Sequence, residues 1–117
     1  MAFSATTDSE RAKEFYRDRL GLRLVEDSPF ALVFDAGGTM LRVQKVKEMR
    51  EAQYTTLGWQ VPDIEAKVEE LAKAGVKFER YKFPGVDERG IWTPPGSNTM
   101  IAWFKDPDGN ILSLTQF

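Results

Sequence analysis

The hydrophobic positions of this chain change period several times, and each change marks an element. Residues 2–7 alternate weakly and suit a short first strand. From residue 8 the period lengthens: Ala12, Phe15, Tyr16 and Leu20 recur at helical spacing, predicting a helix over 8–20 with one apolar face. Thr7-Asp-Ser-Glu10 matches a capping box at its start, with Asp8 as an alternative N-cap, and Gly21 stands where a C′ glycine ends a helix. Apolar runs at 22–25, 31–35 and 40–46, separated by Asp-Ser-Pro and Ala-Gly-Gly turns, predict three strands. Residues 47–53 are charged and without strand period, and read as a crossover. The plan then returns. Residues 54–61 form a strand, Asp63 caps a helix with Ile64, Val68, Leu71 and Ala72 on one stripe, Gly75 stops it, and 76–81 is a strand. Pro84, Gly85, Gly90, Pro94, Pro95 and Gly96 punctuate the long loop that follows, with room for a short strand at 90–93. Last comes a hairpin, in which 100–104 and 111–114 flank Asp106-Pro107-Asp108-Gly109. Pro107 presets φ there, Gly109 accepts positive φ, and turn geometry accounts for both carboxylates.

Composition narrows the function classes. A chain of 117 residues with 42% hydrophobic and 29% charged positions fits one soluble domain with its own core. A formal net charge of −2 argues against nucleic acid as a partner, which wants a concentrated basic face. No apolar run approaches the ~20 residues of a membrane span, and no signal-peptide pattern opens the chain, so a cytoplasmic location and no membrane partner are expected. Cysteine is absent, which removes thiolate nucleophiles and disulfides. Histidine is absent too, and this changes the picture most. Imidazole is the commonest transition-metal ligand and the usual base near neutral pH. Any metal here would rest on oxygen donors, which favour Mg, Ca or Mn over Zn, Ni or Fe(II).

Asp8 and Gly21 of the first half return about 55 residues later as Asp63 and Gly75. That repeat, with Phe15-Tyr16 ahead of Leu20-Gly21-Leu22, Val61-Pro62-Asp63-Ile64, and Phe104-Lys-Asp-Pro-Asp-Gly-Asn110 before the last strand, resembles the vicinal oxygen chelate superfamily. The group includes glyoxalase I, bleomycin-resistance proteins and extradiol dioxygenases. The resemblance covers nearly the whole chain and implies one α+β domain of two βαβββ modules, about 1–46 and about 54–117. Their strands would form a curved mixed sheet around a cavity, with the helices packed outside. A ferredoxin-like sandwich is the plain alternative. The resemblance also implies a homodimer.

In metal-dependent relatives the implied ligand positions fall here on Thr56, on about Met1, on Arg42 or Gln44, and on Ser113. None suits Zn, Ni or Fe(II), and Arg42 would oppose a cation, so neither a metal nor another cofactor is expected. If Thr56 points inward, period-two alternation turns Tyr54, Gly58 and Gln60 the same way. Met40, Arg42 and Gln44 then share a face, as do Ser113 and Thr115. Ser113 faces Ala102 across a simple four-residue loop, or Trp103 across a bulge. The candidate ligand-binding set is Arg42, Gln44, Tyr54, Thr56, Gln60 and Ser113, joined by Trp92 and Trp103. Arg42 suits a carboxylate or phosphate, and the glutamines a carbonyl or hydroxyl. The same residues equally describe the solvated face of an antiparallel sheet. Trp59 reads as core, Asp87-Glu88-Arg89 as a solvated turn, and the Tyr81–Trp92 run as either a lid or a dimer contact.

The reading is a metal-free protein that binds a small organic molecule, anionic or aromatic, with no catalytic residue assigned. The alternatives are a metal-independent lyase or isomerase using Tyr54, or a glutamate of raised pKa, as acid/base, an enzyme with an oxygen-ligated metal, and an interaction module with a vestigial cavity.

Overall fold

A computed structural model describes residues 1–48 and 54–117; most of the expected 47–53 crossover lies outside the described residues. The elements are β1 (Ala2–Thr6), α1 (Ser9–Lys13) continued by a π-helical turn (Glu14–Arg19), β2 (Arg23–Asp27), β3 (Ala31–Ala36) and β4 (Thr39–Lys45). β5 (Thr55–Gln60), α2 (Ile64–Lys73), β6 (Phe78–Glu79), β7 (Met100–Lys105) and β8 (Ile111–Gln116) follow. The strands make two four-stranded mixed sheets of matching order, β1-β4-β3-β2 and β5-β8-β7-β6. In each, the first strand runs parallel to the last, and the remaining neighbours are antiparallel. The expected α+β plan of two βαβββ modules is therefore present, without a closed barrel. No described helix is long and apolar enough to cross a membrane.

Both helices begin on an aspartate in extended conformation. The Asp8 carboxylate accepts from Arg11 N at 3.2 Å, and that of Asp63 from Ala66 N at 3.1 Å. The capping box at Thr7 does not form, because the Thr7 hydroxyl donates instead to Asp108 Oδ1 at 2.9 Å. Gly21 and Gly75, at φ 74° and 95°, supply the left-handed turn that ends each helix. The first helix widens after Lys13, with Leu20 N reaching Phe15 O. Phe15 and Tyr16 both stay buried through that turn.

Alternation holds where strands are fully paired. Leu41, Val43, Leu112 and Leu114 face the helices and are buried, and Trp59 packs against the same core. Tyr16 lies 5.5 Å from Phe34, centroid to centroid, while Phe15 lies 6.3 Å from Phe104. One helix thus packs on strands of both modules.

Several expected details differ. Ala72 is exposed, since one turn beyond Val68 the buried stripe continues through Leu71. The strand at 76–81 shrinks to Phe78–Glu79, and the one at 90–93 to isolated bridges joining Trp92 to Val86 and Ile101. Arg89 is more than a solvated turn residue, because its guanidinium donates to Glu65 on α2 at 2.8 Å.

Outside the core, Asp27 lies between Lys13 Nζ at 2.7 Å and Lys45 Nζ at 2.8 Å, linking β2 to α1 and β4. The Lys13 hydrogen bond, then that of Lys45, holds its carboxyl down at about 2. Folding depresses this acid, so its contribution is present above the ordinary 3.8 and is lost as pH falls through about 2. A carboxyl-carbon NMR titration of Asp27 will show that low midpoint, and Lys13→Met will move it back toward the ordinary value. An unchanged midpoint in the variant would remove the pair as its cause.

Candidate functional site

The hairpin turn is the first place where distant segments meet. Asp106 is buried, and its carboxylate accepts from Tyr16 Oη at 2.7 Å, Asn110 Nδ2 at 2.8 Å, Asn110 N at 2.9 Å and Asp108 N at 3.0 Å. Asn110 Nδ2 also reaches Ala5 O at 3.0 Å. Asp108 accepts from Thr7 N at 2.9 Å and from the hydroxyls of Thr6 and Thr7. Turn geometry therefore explains only part of these two carboxylates. They also tie module two to β1 and α1. Burial, the largest influence, pushes the Asp106 carboxyl up from its ordinary value, against the pull of the Asn110 and Tyr16 bonds. Burial, with the Asp106 charge second, pushes the Tyr16 phenol far up.

The candidate residues fall into two groups on different sheets. Arg42 and Gln44 share a face of β4, where their neighbours are Phe3 and Ala5 on β1 and Val33 and Ala31 on β3. Phe3 is 56% exposed beside Arg42. Ser113, Trp103 and Gln60 belong to the second sheet, with Trp103 paired to Ser113, Gly58 to Ser113 and Gln60 to Thr115. Of the two expected pairings it is thus Trp103, not Ala102, that stands opposite Ser113. Among the described residues no hydrogen bond links Arg42 or Gln44 to Trp92, Trp103 or Ser113.

A register shift between Thr55 and Leu57 changes the start of β5. Thr55 pairs with Ile111 and accepts from Trp103 Nε1 at 3.2 Å. Thr56 donates to Ile111 O at 3.3 Å, and Tyr54 is 70% exposed. Thr55 thus holds the place beside Trp103 that simple alternation assigns to Thr56. Only the paired register reveals this.

Trp92 joins this second group through a four-ring cluster. Trp92 and Trp103 lie 5.8 Å apart at 31°, Tyr81 is 5.3 Å from Trp103, and Phe83 is 5.5 Å from Trp92. Both indole N–H groups are occupied, by Thr55 Oγ1 and by Pro84 O at 3.0 Å, so the rings are fixed and their faces are what remains to bind. Tyr81 and Phe83 lay in a run read as lid or contact, and sequence spacing gave no sign that they stack on each other at 27°.

Ser113 lies against the backbone of β5. A Cβ at Gly58 would stand 2.5 Å from Ser113 Oγ, so glycine there leaves room for the hydroxyl. Among the described residues that hydroxyl has no hydrogen-bond partner. Gln60 also lines two cavities at the junction of the modules, of about 160 and 260 Å³, with Trp59 and Ala36.

The donor set does not fit a transition metal. The implied positions offer a thioether, two hydroxyls, an amide and a guanidinium, and the Thr56 hydroxyl is already bonded to backbone. Among the described residues no group of three or more Asp or Glu side chains stands close enough to hold an ion.

The model of the Glyoxalase/Bleomycin resistance protein/Dioxygenase superfamily matches residues 2–114. Among solved structures, the fold is similar to a glyoxalase/bleomycin resistance protein/dioxygenase from Alicyclobacillus acidocaldarius (TM-score 0.78, 17% identity, covering 98% of this chain and 87% of that one). It is also similar to a glyoxalase family protein from Enterococcus faecalis (0.75, 20%, 98% and 93%). A third is TnmS3, an antibiotic binding protein from Streptomyces sp. CB03234 (0.71, 27%, 97% and 90%). No curated protein matches the chain.

Proposed function

The chain belongs to the glyoxalase/bleomycin resistance protein/dioxygenase superfamily, and from that premise we propose that it binds a small planar aromatic molecule without a metal. The observation that carries this reading is the fixed ring cluster of Tyr81, Phe83, Trp92 and Trp103 beside the Ser113 hydroxyl, which has no partner among the described residues. A planar ligand gains stacking on rings already held in place, so little ordering cost opposes it. Ser113 supplies one directional polar contact, which fixes orientation. The likeness to TnmS3, named as an antibiotic binding protein, supports the ligand class. Arg42 and Gln44 belong to the other sheet, beside the exposed Phe3. We therefore extend the proposal to a homodimer in which a second copy covers that face and Arg42 holds the ligand's anionic group.

Tryptophan quenching and calorimetry with naphthalene-2-carboxylate test this, with cyclohexanecarboxylate as the non-planar ligand of equal charge. The expected result is saturable binding of the naphthalene compound alone, unchanged after chelation by EDTA. Trp103→Ala will weaken it about tenfold or more, in line with ~1–3 kcal/mol for stacking on one aromatic side chain. Equal binding of both carboxylates, or wild-type affinity in Trp103→Ala, would sink the proposal.

A further inference from the structure

We propose that the seam between the modules holds a second site, on the helix side of the fold, for a small oxyanion. A cavity of about 330 Å³ opens there, within the range of ~300–1,000 Å³ typical of small-ligand sites. Arg11 and Arg19 approach it from the first helix, Lys77 from the segment after α2, and Lys105 from the end of β7. None of Tyr81, Phe83, Trp92, Trp103 or Ser113 lines it, so the site stands apart from the aromatic cluster and does not depend on what that cluster binds.

The charges around the cavity do not balance. Arg19 is occupied, pairing with Glu14 at 3.7 Å and donating to Gly75 O at 3.0 Å. That pair also neutralises Glu14. Asp106 contributes to the wall with its oxygens turned to Tyr16, Asn110 and the turn backbone, neutral donors that leave its charge in the balance. Glu79 remains as a carboxylate without an ion pair among the described residues. Arg11, Lys77 and Lys105 likewise enter no ion pair among those residues. Three free cations against the carboxylates of Glu79 and Asp106 leave the wall net positive, which suits an anionic ligand. The chain as a whole carries a formal charge of −2, so this cluster is a local feature and not part of a general basic surface.

The chemistry on the wall fits two kinds of oxyanion. A guanidinium fork with two ammonium groups takes a phosphate monoester or a short dicarboxylate. Either would bridge the first helix to residues 75–77 and to β7. Binding would then also raise the melting temperature, since an unfolded chain has no such site.

The test is two-dimensional NMR of the full chain at constant ionic strength, titrated separately with inorganic phosphate and with succinate. The expected result is saturable shifts at the amides of Arg11, Gly75, Val76 and Lys77 with at least one probe. Preference for phosphate names a tetrahedral oxyanion and preference for succinate a dicarboxylate. Lys77→Glu and Arg11→Glu will each weaken binding about tenfold, a difference of ~1.4 kcal/mol, while Lys82→Glu, which does not line the cavity, binds as wild type. Shifts that rise linearly and spread over every exposed basic residue would overturn the proposal. So would affinities that Lys77→Glu and Arg11→Glu leave unchanged.

Discussion

Asp106→Ala is expected to destabilise the fold by about 3 kcal/mol, because each buried donor left without a partner costs ~1–3 kcal/mol. Three donors lose their acceptor at once, Tyr16 Oη and the N–H groups of Asp108 and Asn110, and Asn110 Nδ2 is left with Ala5 O and Ser4 Oγ alone. Water cannot easily replace the carboxylate, since Asp106 and Asn110 are 6% and 4% exposed and Tyr16 is fully buried. Tyr16→Phe removes one donor with its bond and should cost about 1 kcal/mol. Urea unfolding of the two variants separates the cases. If Asp106→Ala is no worse than Tyr16→Phe, the carboxylate is a turn-former and not a tie between modules.

The same residue carries a pH signature opposite to that of Asp27. Burial raises its carboxyl above the ordinary value, so the folded chain binds a proton that the unfolded chain has released. Its titration therefore favours folding below the ordinary range, and that contribution is lost as pH rises through the raised value. Asp106→Asn removes the titration. The stability of wild type relative to this variant should accordingly grow as pH falls, and a constant difference would show that the carboxyl is not raised.

Phe104→Ala is the second large effect, at about 3–5 kcal/mol for a buried Phe truncated to Ala. Phe104 is fully buried, 5.4 Å from Phe78 and 6.3 Å from Phe15. It joins β7 to the short strand β6 and also to the first helix, so the vacated space cannot be filled without moving an element of the other module. Phe104→Leu keeps most of the volume and should cost less than ~1.5 kcal/mol. Denaturant midpoints at matched slope read both changes. Total stabilities of small domains are only ~5–15 kcal/mol, so the Ala variant will unfold at markedly lower denaturant. A loss below ~1.5 kcal/mol in that variant would mean that the helix does not depend on Phe104 for its seat.

The sequence by itself determined the elements and their duplication. Asp8 and Asp63 as caps, Gly21 and Gly75 as stops, and the alternation along Leu41–Val43 and Leu112–Leu114 are all properties of segments shorter than a strand or helix. Backbone geometry and local hydrogen bonding favour them from neighbouring residues alone. The lack of histidine and cysteine likewise set the limits on metal chemistry from composition alone. What tertiary structure decided is everything that pairs residues far apart in the chain. The register shift at Thr55 gave that residue the place beside Trp103 that regular alternation assigned to Thr56, because a bulge depends on the partner strand as well as on its own residues. The edge-on and tilted packing of Tyr81 and Phe83 against the two tryptophans needed the long loop to fold back onto β7. The cluster of Arg11, Lys77 and Lys105 was invisible as a motif, since each lies in a different element and each alone is an ordinary solvated cation. Asp106 shows the division within one side chain. Its place in a turn follows from the Pro107 and Gly109 around it, while its bond to Tyr16, 90 residues away, exists only because packing brings the two together and excludes the water that would compete.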